Sequence, residues 1–382
     1  GPLEGMVVFV PGGVPGDRVR ARIKKRKKRW ARVELLEVER PSPGRVAPRC
    51  AIQEQCGGCP WMAGDRKTQS ESRLKILRGE IAKTLQWGQE RLQRDVVLAE
   101  DSGPEYGYRR RARLAWRLQG GEVTLGYRAR GSHRLVPVSR CEVVVEPIND
   151  ALGRVRQAIA DLGEPAGEAT ILAADNGVAW SLIAESGART LGGEPDPALT
   201  VNGLQLSMKA SCFAQGNGAE TDAIARHIGE RAGQGDGAHA VELFAGSGTW
   251  TAGLLDAGYR VTAYELDGKA REAFEANCPT DDATLHIADL LEIGIPEPLP
   301  EQAALVLVDP PRIGAAALTT WLRASSASSI LMVSCDVATG VRDAAALADP
   351  PGGYTIERIT SYDMFPHTGH QELVIELSRR AD

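Results

Sequence analysis

The chain has 382 residues, of which 45 are Lys or Arg and 50 are Asp or Glu, leaving a formal charge of −5. A composition 43% hydrophobic and 25% charged predicts two or three globular domains at this length and excludes a single small disulfide-stapled fold. The longest apolar runs, such as Met6 to Val10 and Ala303 to Val308, are far short of a membrane span. No basic stretch followed by a long apolar one opens the chain, so a cytoplasmic protein is expected. Seven cysteines at uneven spacing fit metal-binding or catalytic thiols in a reducing compartment better than disulfides.

The charge is unevenly spread. Residues 1–150 hold 30 basic and 18 acidic side chains, a net +12, whereas residues 151–382 carry −17. Ten basic and no acidic residues lie between Arg18 and Arg32, ending in Lys24-Lys25-Arg26-Lys27-Lys28-Arg29. Such a run is commonly a solvated tail. From Arg18 to Lys24, however, basic residues alternate with Val19, Ala21 and Ile23, which predicts a half-buried strand with one basic face, a platform for phosphates. With Val7 to Val10 before it and Arg32 to Leu36 after it, the segment reads as a small antiparallel barrel. The run FVPGGVPGDRVRARI resembles a TRAM domain, an RNA-binding OB-like barrel. Pro41, Pro43, Gly44 and Pro48 mark a linker.

Next comes Cys50-x5-Cys56-Gly57-Gly58-Cys59, with Cys141 the remaining thiol of the basic half. Four thiols suit a tetrahedral sulfur site. Only one CxxC knuckle is present, and Gly57 and Gly58 let backbone amides turn toward bound sulfide. The spacing therefore favours a [4Fe-4S] cluster over structural zinc or unrelated buried thiols. Leu74, Leu77 and Ile81 predict a helix over 67–85, and Leu114–Trp116, Val123–Tyr127, Leu135–Val138 and Val143–Val145 read as short strands. Arg109, Arg110, Arg111, Arg113 and Arg117 suggest that this region also faces RNA, although a solvated face would look the same. The Gly/Pro-rich stretch 187–197 is a plausible domain boundary.

From Ala240 strands and helices alternate, predicting a doubly wound α/β sheet. Ala240–Phe244 is a strand, Ala245-Gly246-Ser247-Gly248-Thr249 a glycine loop, Trp250–Ala257 a helix, and Arg260–Tyr264 a second strand ending at Glu265. Glycines at a helix N-terminus and a carboxylate for a ribose diol would serve NAD or S-adenosylmethionine. Thr251 stands where a dinucleotide fingerprint needs its third glycine, which favours S-adenosylmethionine. Strand Leu305–Val308 ends in Asp309-Pro310-Pro311-Arg312, strand Ile330–Val333 in Ser334-Cys335-Asp336, and Glu372 opens strand Leu373–Leu377. Asp309 and Cys335 should therefore meet in the ligand crevice. Cys335, following an apolar strand among polar residues, is a candidate nucleophile, while Cys212 and Cys278 read as core thiols. His367, His370 and Glu372 mimic a metal triad, but they sit in a Pro/Gly loop without helical register.

AGSGT, DPPR, SC followed by AT, and DMFPHTGHQE, in that order after the barrel and the CGGC cluster, resemble the RNA uracil-C5 methyltransferases. More narrowly, they resemble the iron–sulfur, TRAM-containing branch acting on 23S rRNA. The resemblance implies a C-terminal class I S-adenosylmethionine-dependent methyltransferase domain (199–382), a TRAM-like barrel (1–47) and a small central α+β iron–sulfur domain (48–198). It implies Cys335 as nucleophile, Glu372 as the base that removes the C5 proton, and Cys50, Cys56, Cys59 and Cys141 as cluster ligands. Gln215, Phe244, Gly246, Gly248, Thr249, Glu265, Asp289 and Asp309 fall at the methyl donor. The implied partner is RNA, 23S rRNA before tRNA, with the enzyme acting as a monomer. A non-catalytic RNA-binding protein is the reading from another class, and intact Cys335 and Glu372 argue against it. The family's Asn-Pro after the nucleophile is replaced by Asp336-Val337, and a charged Asp336 should raise the thiol pKa unless Arg312 offsets it. Ala214 and Gly216 are small where bulkier neighbours of Gln215 are expected.

Overall fold

The structure, a computed structural model, describes residues 2–3, 5–100, 103–294, 303–348 and 353–380. Strands β1 (Pro2–Leu3), β2 (Met6–Phe9), β3 (Arg18–Arg26) and β4 (Trp30–Arg40) form one sheet in the order β1-β2-β4-β3. β3 and β4 pair antiparallel as expected, with three register shifts that bend the pair, while β2 joins β4 in parallel. The expectation of a half-buried β3 is not met. Ile23 is 54% exposed and nearly every residue of the strand faces solvent, because among the described residues no second layer covers it. Its cations are not a free phosphate platform either. Arg18, Arg20, Arg22 and Lys24 form ion pairs with Glu34, Glu37 and Glu39 of the neighbouring strand. Among the described residues, Arg26, Lys27, Lys28, Arg29 and Arg32 have no ion pair, so the available positive charge sits at the β3–β4 end.

Helices α1 (Arg66–Leu85) and α2 (Gln89–Asp95) and strand β5 (Val96–Leu98) follow. The division of the chain by sequence puts them with the central region, but they pack on the C-terminal sheet. Leu77, Ile81, Leu92 and Val96 share a core with Val306, Ile330 and Ile375, and β5 pairs in parallel with a strand of that sheet. Asp65 starts α1 by accepting from the Thr68 backbone N–H at 2.8 Å, an N-cap that satisfies one of the helix's open donors.

The central region is a six-stranded antiparallel sheet of β6 (Arg111–Gln119), β7 (Glu122–Arg128), β8 (Leu135–Pro137), β9 (Ala166–Ala174), β10 (Gly177–Ala184) and β11 (Arg189–Gly193), ordered β11-β10-β9-β6-β7-β8. Helix α3 (Glu146–Leu162) buries Ile148, Leu152, Val155 and Ile159 against it. Val143–Val145, expected as a strand, is not one: Val144 makes a single bridge to Arg109 and Val145 is the residue from which α3 starts. The stretch 187–197 holds edge strand β11, so its glycines serve a sheet edge rather than a linker. Gly192 and Gly193 leave no room for a Cβ beside the Trp180 ring. A hairpin, β12 (Ala198–Val201) and β13 (Leu204–Ser207), leads into helix α4 (Gly218–Ala232).

The C-terminal sheet contains β14 (His239–Leu243), β15 (Arg260–Glu265), β16 (Ala283–Ile287), β17 (Ala303–Val308), β18 (Ser329–Ser334), β19 (Tyr354–Tyr362) and β20 (Glu372–Arg379) in the order β16-β15-β14-β17-β18-β20-β19-β5. β14 to β18 run parallel and β20 antiparallel between β18 and β19. Helices α4, α5 (Thr249–Asp256) and α6 (Ala270–Asn277) cover one face. Helices α1, α2, α7 (Leu290–Ile293), α8 (Thr319–Ala324) and α9 (Val337–Ala348) contribute to the other core. The chain reverses its direction of travel across the sheet between β14 and β17, which opens a crevice at the carboxyl ends of those strands.

Candidate active site

The crevice is built around the turn after β14. Phe244, Gly246 and Gly248 all have positive φ, at 68°, 55° and 80°. Phe244 is the side-chain-bearing exception, a strained conformation at the carboxyl end of a buried strand. A Cβ on Gly248 would lie 3.0 Å from both Cys278 Sγ and the Phe274 ring, so the turn needs glycine for close packing. Around Gly246 the space is open. Glu265, at the end of β15, accepts from Gly246 N at 2.8 Å and from Asp267 N at 2.8 Å. Each oxygen keeps a second lone pair for a hydroxyl, so the loop fits an adenosine ribose. Asp289 instead uses its carboxylate to cap α7, accepting from Leu291 N and Glu292 N.

Three ionisable groups converge beside this turn. Asp309 follows β17 and accepts from the Trp250 indole at 2.9 Å. Its carboxyl is pushed up to about 6 by burial and by Glu265, with the Trp250 bond opposing. Cys335 lies between β18 and α9, partly exposed. Burial first, then the charges of Glu372 and Asp309, push its thiol up to about 11, and Arg312 offsets part of this. Glu372, 3% exposed, is raised well above the ordinary carboxylate range by burial and Asp309, again opposed by Arg312. Register explains the meeting: Ser334 pairs with Leu373 across β18 and β20, so Cys335 and Glu372 continue adjacent strands at the same level. Asp336, expected to act on the thiol, caps α9 by accepting from Thr339 N at 2.9 Å; the neighbours that raise Cys335 most are Glu372 and Asp309.

Two features were not anticipated. Glu242 on β14 is fully buried, accepts from Thr251 and is pushed up to about 8 by burial. Thr251 therefore serves a buried carboxyl, a use that its place in the glycine motif did not signal. The turn Asp363–Gln371 between β19 and β20 is held by α1. Gln69 accepts from His367 N at 2.8 Å, its amide reaches His367 Nδ1 at 3.1 Å and donates to Gly64 O at 2.7 Å. Arg73, 1% exposed, donates to Thr368 O at 3.1 Å and pairs with Asp363 at 2.9 Å. Their signal lay in the ladder Gln69, Arg73, Leu77, Ile81, all buried at four-residue spacing, whose polar half was left out of the apolar pattern. His367 is buried and pushed down to about 4, and its Nδ1 faces Gln69.

Cys50, Cys56, Cys59 and Cys141 line one cavity, beside Arg109 and Tyr127. Asn149 of α3 fixes Cys141 by accepting from its N–H at 2.9 Å and donating to its carbonyl at 3.2 Å. The Gly58 amide points to Cys56 Sγ at 3.4 Å. Burial and the three neighbouring thiols push Cys59 up to about 12. Among the described residues no group of three or more His, Cys, Asp and Glu side chains has an arrangement that could hold a metal ion. The four thiols line the same cavity.

No protein-family model matches the chain. A Halomonas elongata protein named 23S rRNA (uracil(1939)-C(5))-methyltransferase RlmD is 32% identical over 420 aligned residues, covering 98% of this chain and 85% of that protein. The chain belongs to the RNA uracil-C5 methyltransferase family. A Shewanella sediminis protein of the same name is 27% identical over 97% of this chain and 90% of its own length. The crystal structure of a Pyrococcus abyssi tRNA (uracil-54, C5)-methyltransferase with S-adenosyl-L-homocysteine superposes with a TM-score of 0.73 over 98% of this chain and 96% of that one, at 21% identity. That likeness shows the class I methyltransferase fold.

In this uracil-C5 methyltransferase the structure brings Phe244, Gly246, Gly248, Thr249, Glu265, Asp309, Cys335 and Glu372 to the carboxyl ends of β14, β15, β17 and β18 and the start of β20. Gln215 is buried in the segment that leads into α4. Its carbonyl accepts from Arg110 at 3.3 Å, and the adjoining Gly216 lies against Phe365, where a Cβ would be 3.4 Å from the ring. The buried Ala214 belongs to the core, which accounts for a small residue there; at Gly216 a Cβ would meet only ordinary contact, so its smallness has no structural explanation. Among the described residues no helix is long and apolar enough to cross a membrane.

Proposed function

We propose that the enzyme transfers the methyl group of S-adenosylmethionine to C5 of a uridine in 23S rRNA, with Cys335 as transient nucleophile and Glu372 as base. The observation that carries this reading is the convergence of a partly exposed thiol, a buried carboxyl and Asp309 beside a glycine turn with a ribose-directed carboxylate. Bound at that turn by Gly246, Gly248, Thr249 and Glu265, with Gln215, Phe244, Asp289 and Asp309 along its sides, S-adenosylmethionine supplies an electrophilic methyl group.

Uracil C5 is a weak nucleophile. Addition of the Cys335 thiolate to C6 turns the ring into an enolate whose C5 is electron-rich. After methylation C5 carries both a hydrogen and a methyl group. Glu372 takes that proton, the C5–H electron pair restores C5=C6, and the C6–S bond breaks with sulfur leaving as thiolate. Burial makes Glu372 a stronger base than an exposed carboxylate. Arg312 supports the thiolate and the carboxylate alike. The target base must be unstacked to reach a half-buried thiol, and the unpaired cations from Arg26 to Arg32 hold flanking RNA through phosphates, whereas Arg109, Arg110 and Arg111 donate to the carbonyls of Arg111, Gln215 and Cys212 and Arg113 pairs with Glu168.

Four cysteines around one cavity support a [4Fe-4S] cluster held by Cys50, Cys56, Cys59 and Cys141. When bound it would supply a structural cross-link between the 50–64 segment and the central sheet. We divide the chain into an RNA-binding TRAM-like unit (1–47), a central unit (48–198) and a catalytic unit (199–382), with α1, α2 and β5 docked on the catalytic sheet.

The test is methylation of full-length 23S rRNA and of tRNA transcripts with methyl-labelled S-adenosylmethionine, followed by nucleoside mass spectrometry. The label should appear as 5-methyluridine from 23S rRNA. Label confined to tRNA would overturn the substrate, and label on another nucleoside the chemistry.

A further inference from the structure

We propose that Gln69 and Arg73 of α1 are positioning residues for Glu372, governing proton removal from C5 rather than the attack of Cys335. This rests on the proposed roles of Cys335 and Glu372 and assigns the helix a part in the same reaction. The geometry is that of a hairpin pinned at its tip. Tyr362 pairs with Glu372 across β19 and β20, so Asp363–Gln371 is the connecting turn and Glu372 is the first residue of the returning strand. Near its start the turn is tied to Arg73 through Asp363, and in its middle through His367 to Gln69 and Thr368 to Arg73. Other tethers also come from outside the hairpin: Trp61 N donates to His367 O at 2.9 Å, Tyr108 to Pro366 O at 3.2 Å and Asn217 to Met364 O at 3.4 Å.

His367 has a φ of 66°, a conformation that a residue with a side chain keeps only where its surroundings over-determine it. Gln69 does so with both ends of its amide, answering the backbone N–H and Nδ1 of the same histidine. Arg73 closes the arrangement, its guanidinium lying 5.7 Å from the Trp61 ring centroid. Nothing in this set touches Cys335. The thiol is held by the β18–α9 corner, where Asp336 caps the helix and Thr339 donates to Arg312 O at 3.2 Å. The two groups share the β18–β20 ladder at Ser334 and Leu373, and Ser361 donates to Gln371 at 2.9 Å, but the turn that leads into Glu372 has its own tethers on α1, which, among the described residues, the Cys335 corner lacks. Losing the clamp frees the turn and lets the Glu372 carboxylate drift from the C5 proton while Cys335 stays in place. The covalent, already methylated RNA adduct then persists, because the C5–H pair is not released to expel sulfur.

The experiment compares the full-length enzyme with Gln69→Ala and Arg73→Lys, each checked for S-adenosylmethionine binding. Two RNAs are used. A 5-fluorouridine transcript traps the enzyme without needing proton removal, since fluorine occupies C5. An ordinary uridine transcript reports release. We expect trapping within about twofold of the unsubstituted enzyme and release slowed roughly a hundredfold in Gln69→Ala, the scale of a displacement near 1 Å. A methylated covalent complex should then be visible on a denaturing gel with ordinary RNA. Arg73→Lys keeps the charge facing Asp363 but not the reach to Thr368 O. It should show the same split, and it decides the matter if Gln69→Ala does not fold. Trapping and release falling together, or release unchanged, overturns the proposal. No trapping by the unsubstituted enzyme overturns the role of Cys335, and this proposal with it.

Discussion

The ionisation of Cys335 before RNA binds can be worked out from its surroundings. Its thiol is pushed from an ordinary 9.0 up to about 11 by burial and by the facing Glu372 and Asp309. That difference disfavours the thiolate by roughly 3 kcal/mol. At pH 8 about one molecule in a thousand would carry the thiolate, against about one in ten for an unperturbed thiol. Alkylation by iodoacetamide, read peptide by peptide by mass spectrometry, follows the thiolate fraction. Between pH 7 and 10 the rate at Cys335 should climb about tenfold per pH unit without a plateau, while the same peptide in denaturant levels off near pH 9. Removing the repelling carboxylate in Glu372→Gln should shift the curve to lower pH. Removing the offsetting cation in Arg312→Gln should shift it to higher pH. A plateau at or below pH 9 in the folded enzyme, or shifts of the opposite sign, would refute the electrostatic account of the site.

Leu77→Ala, at a fully buried position of α1, should cost about 2–5 kcal/mol in urea unfolding followed through the C-terminal sheet; a neutral change would mean that α1 is not part of that core. Replacing Lys27, Lys28 and Arg29 by Gln should lower RNA affinity and reduce the slope of log K against log salt by about 2 to 3. The same treatment of Arg18, Arg20 and Arg22, which face Glu34, Glu37 and Glu39, should change it less. Cys59→Ser should abolish iron content and visible absorbance in anaerobically purified protein; iron retained at full occupancy would remove Cys59 from the ligand set.

Local patterns carried far in the C-terminal half. The strands ending at Leu243, Val308 and Ser334 are short apolar runs, the first two closed by glycine or proline and the third by polar residues, and such runs signal buried parallel strands wherever they lie. Their ends then had to share one crevice, which is why Asp309, Glu265 and Cys335 were legible without coordinates. What escaped depends on contacts that no local pattern records. Gln69 and His367 are 298 positions apart, and a polar residue on a helix reads as solvated until its partner is seen. In β3 the alternation of basic and apolar residues was real, but alternation fixes only which side chains share a face. It does not say that anything covers that face, and here nothing does. Strand β5 is three residues long and its membership of the last sheet follows from pairing with β19, which its own sequence does not encode. Asp336 misled for a related reason: its proximity to Cys335 in the chain was legible, its commitment to the α9 N-terminus was not.

The central claim is a covalent bond between Cys335 and uracil C6 during methyl transfer to C5. Its most direct test is intact-mass and peptide analysis of the enzyme trapped on 5-fluorouridine-substituted 23S rRNA with S-adenosylmethionine. The account predicts a nucleotide bearing one added methyl group, attached at Cys335 and absent from Cys335→Ala. Attachment at any other residue, or undiminished methylation of ordinary RNA by Cys335→Ala, would contradict it.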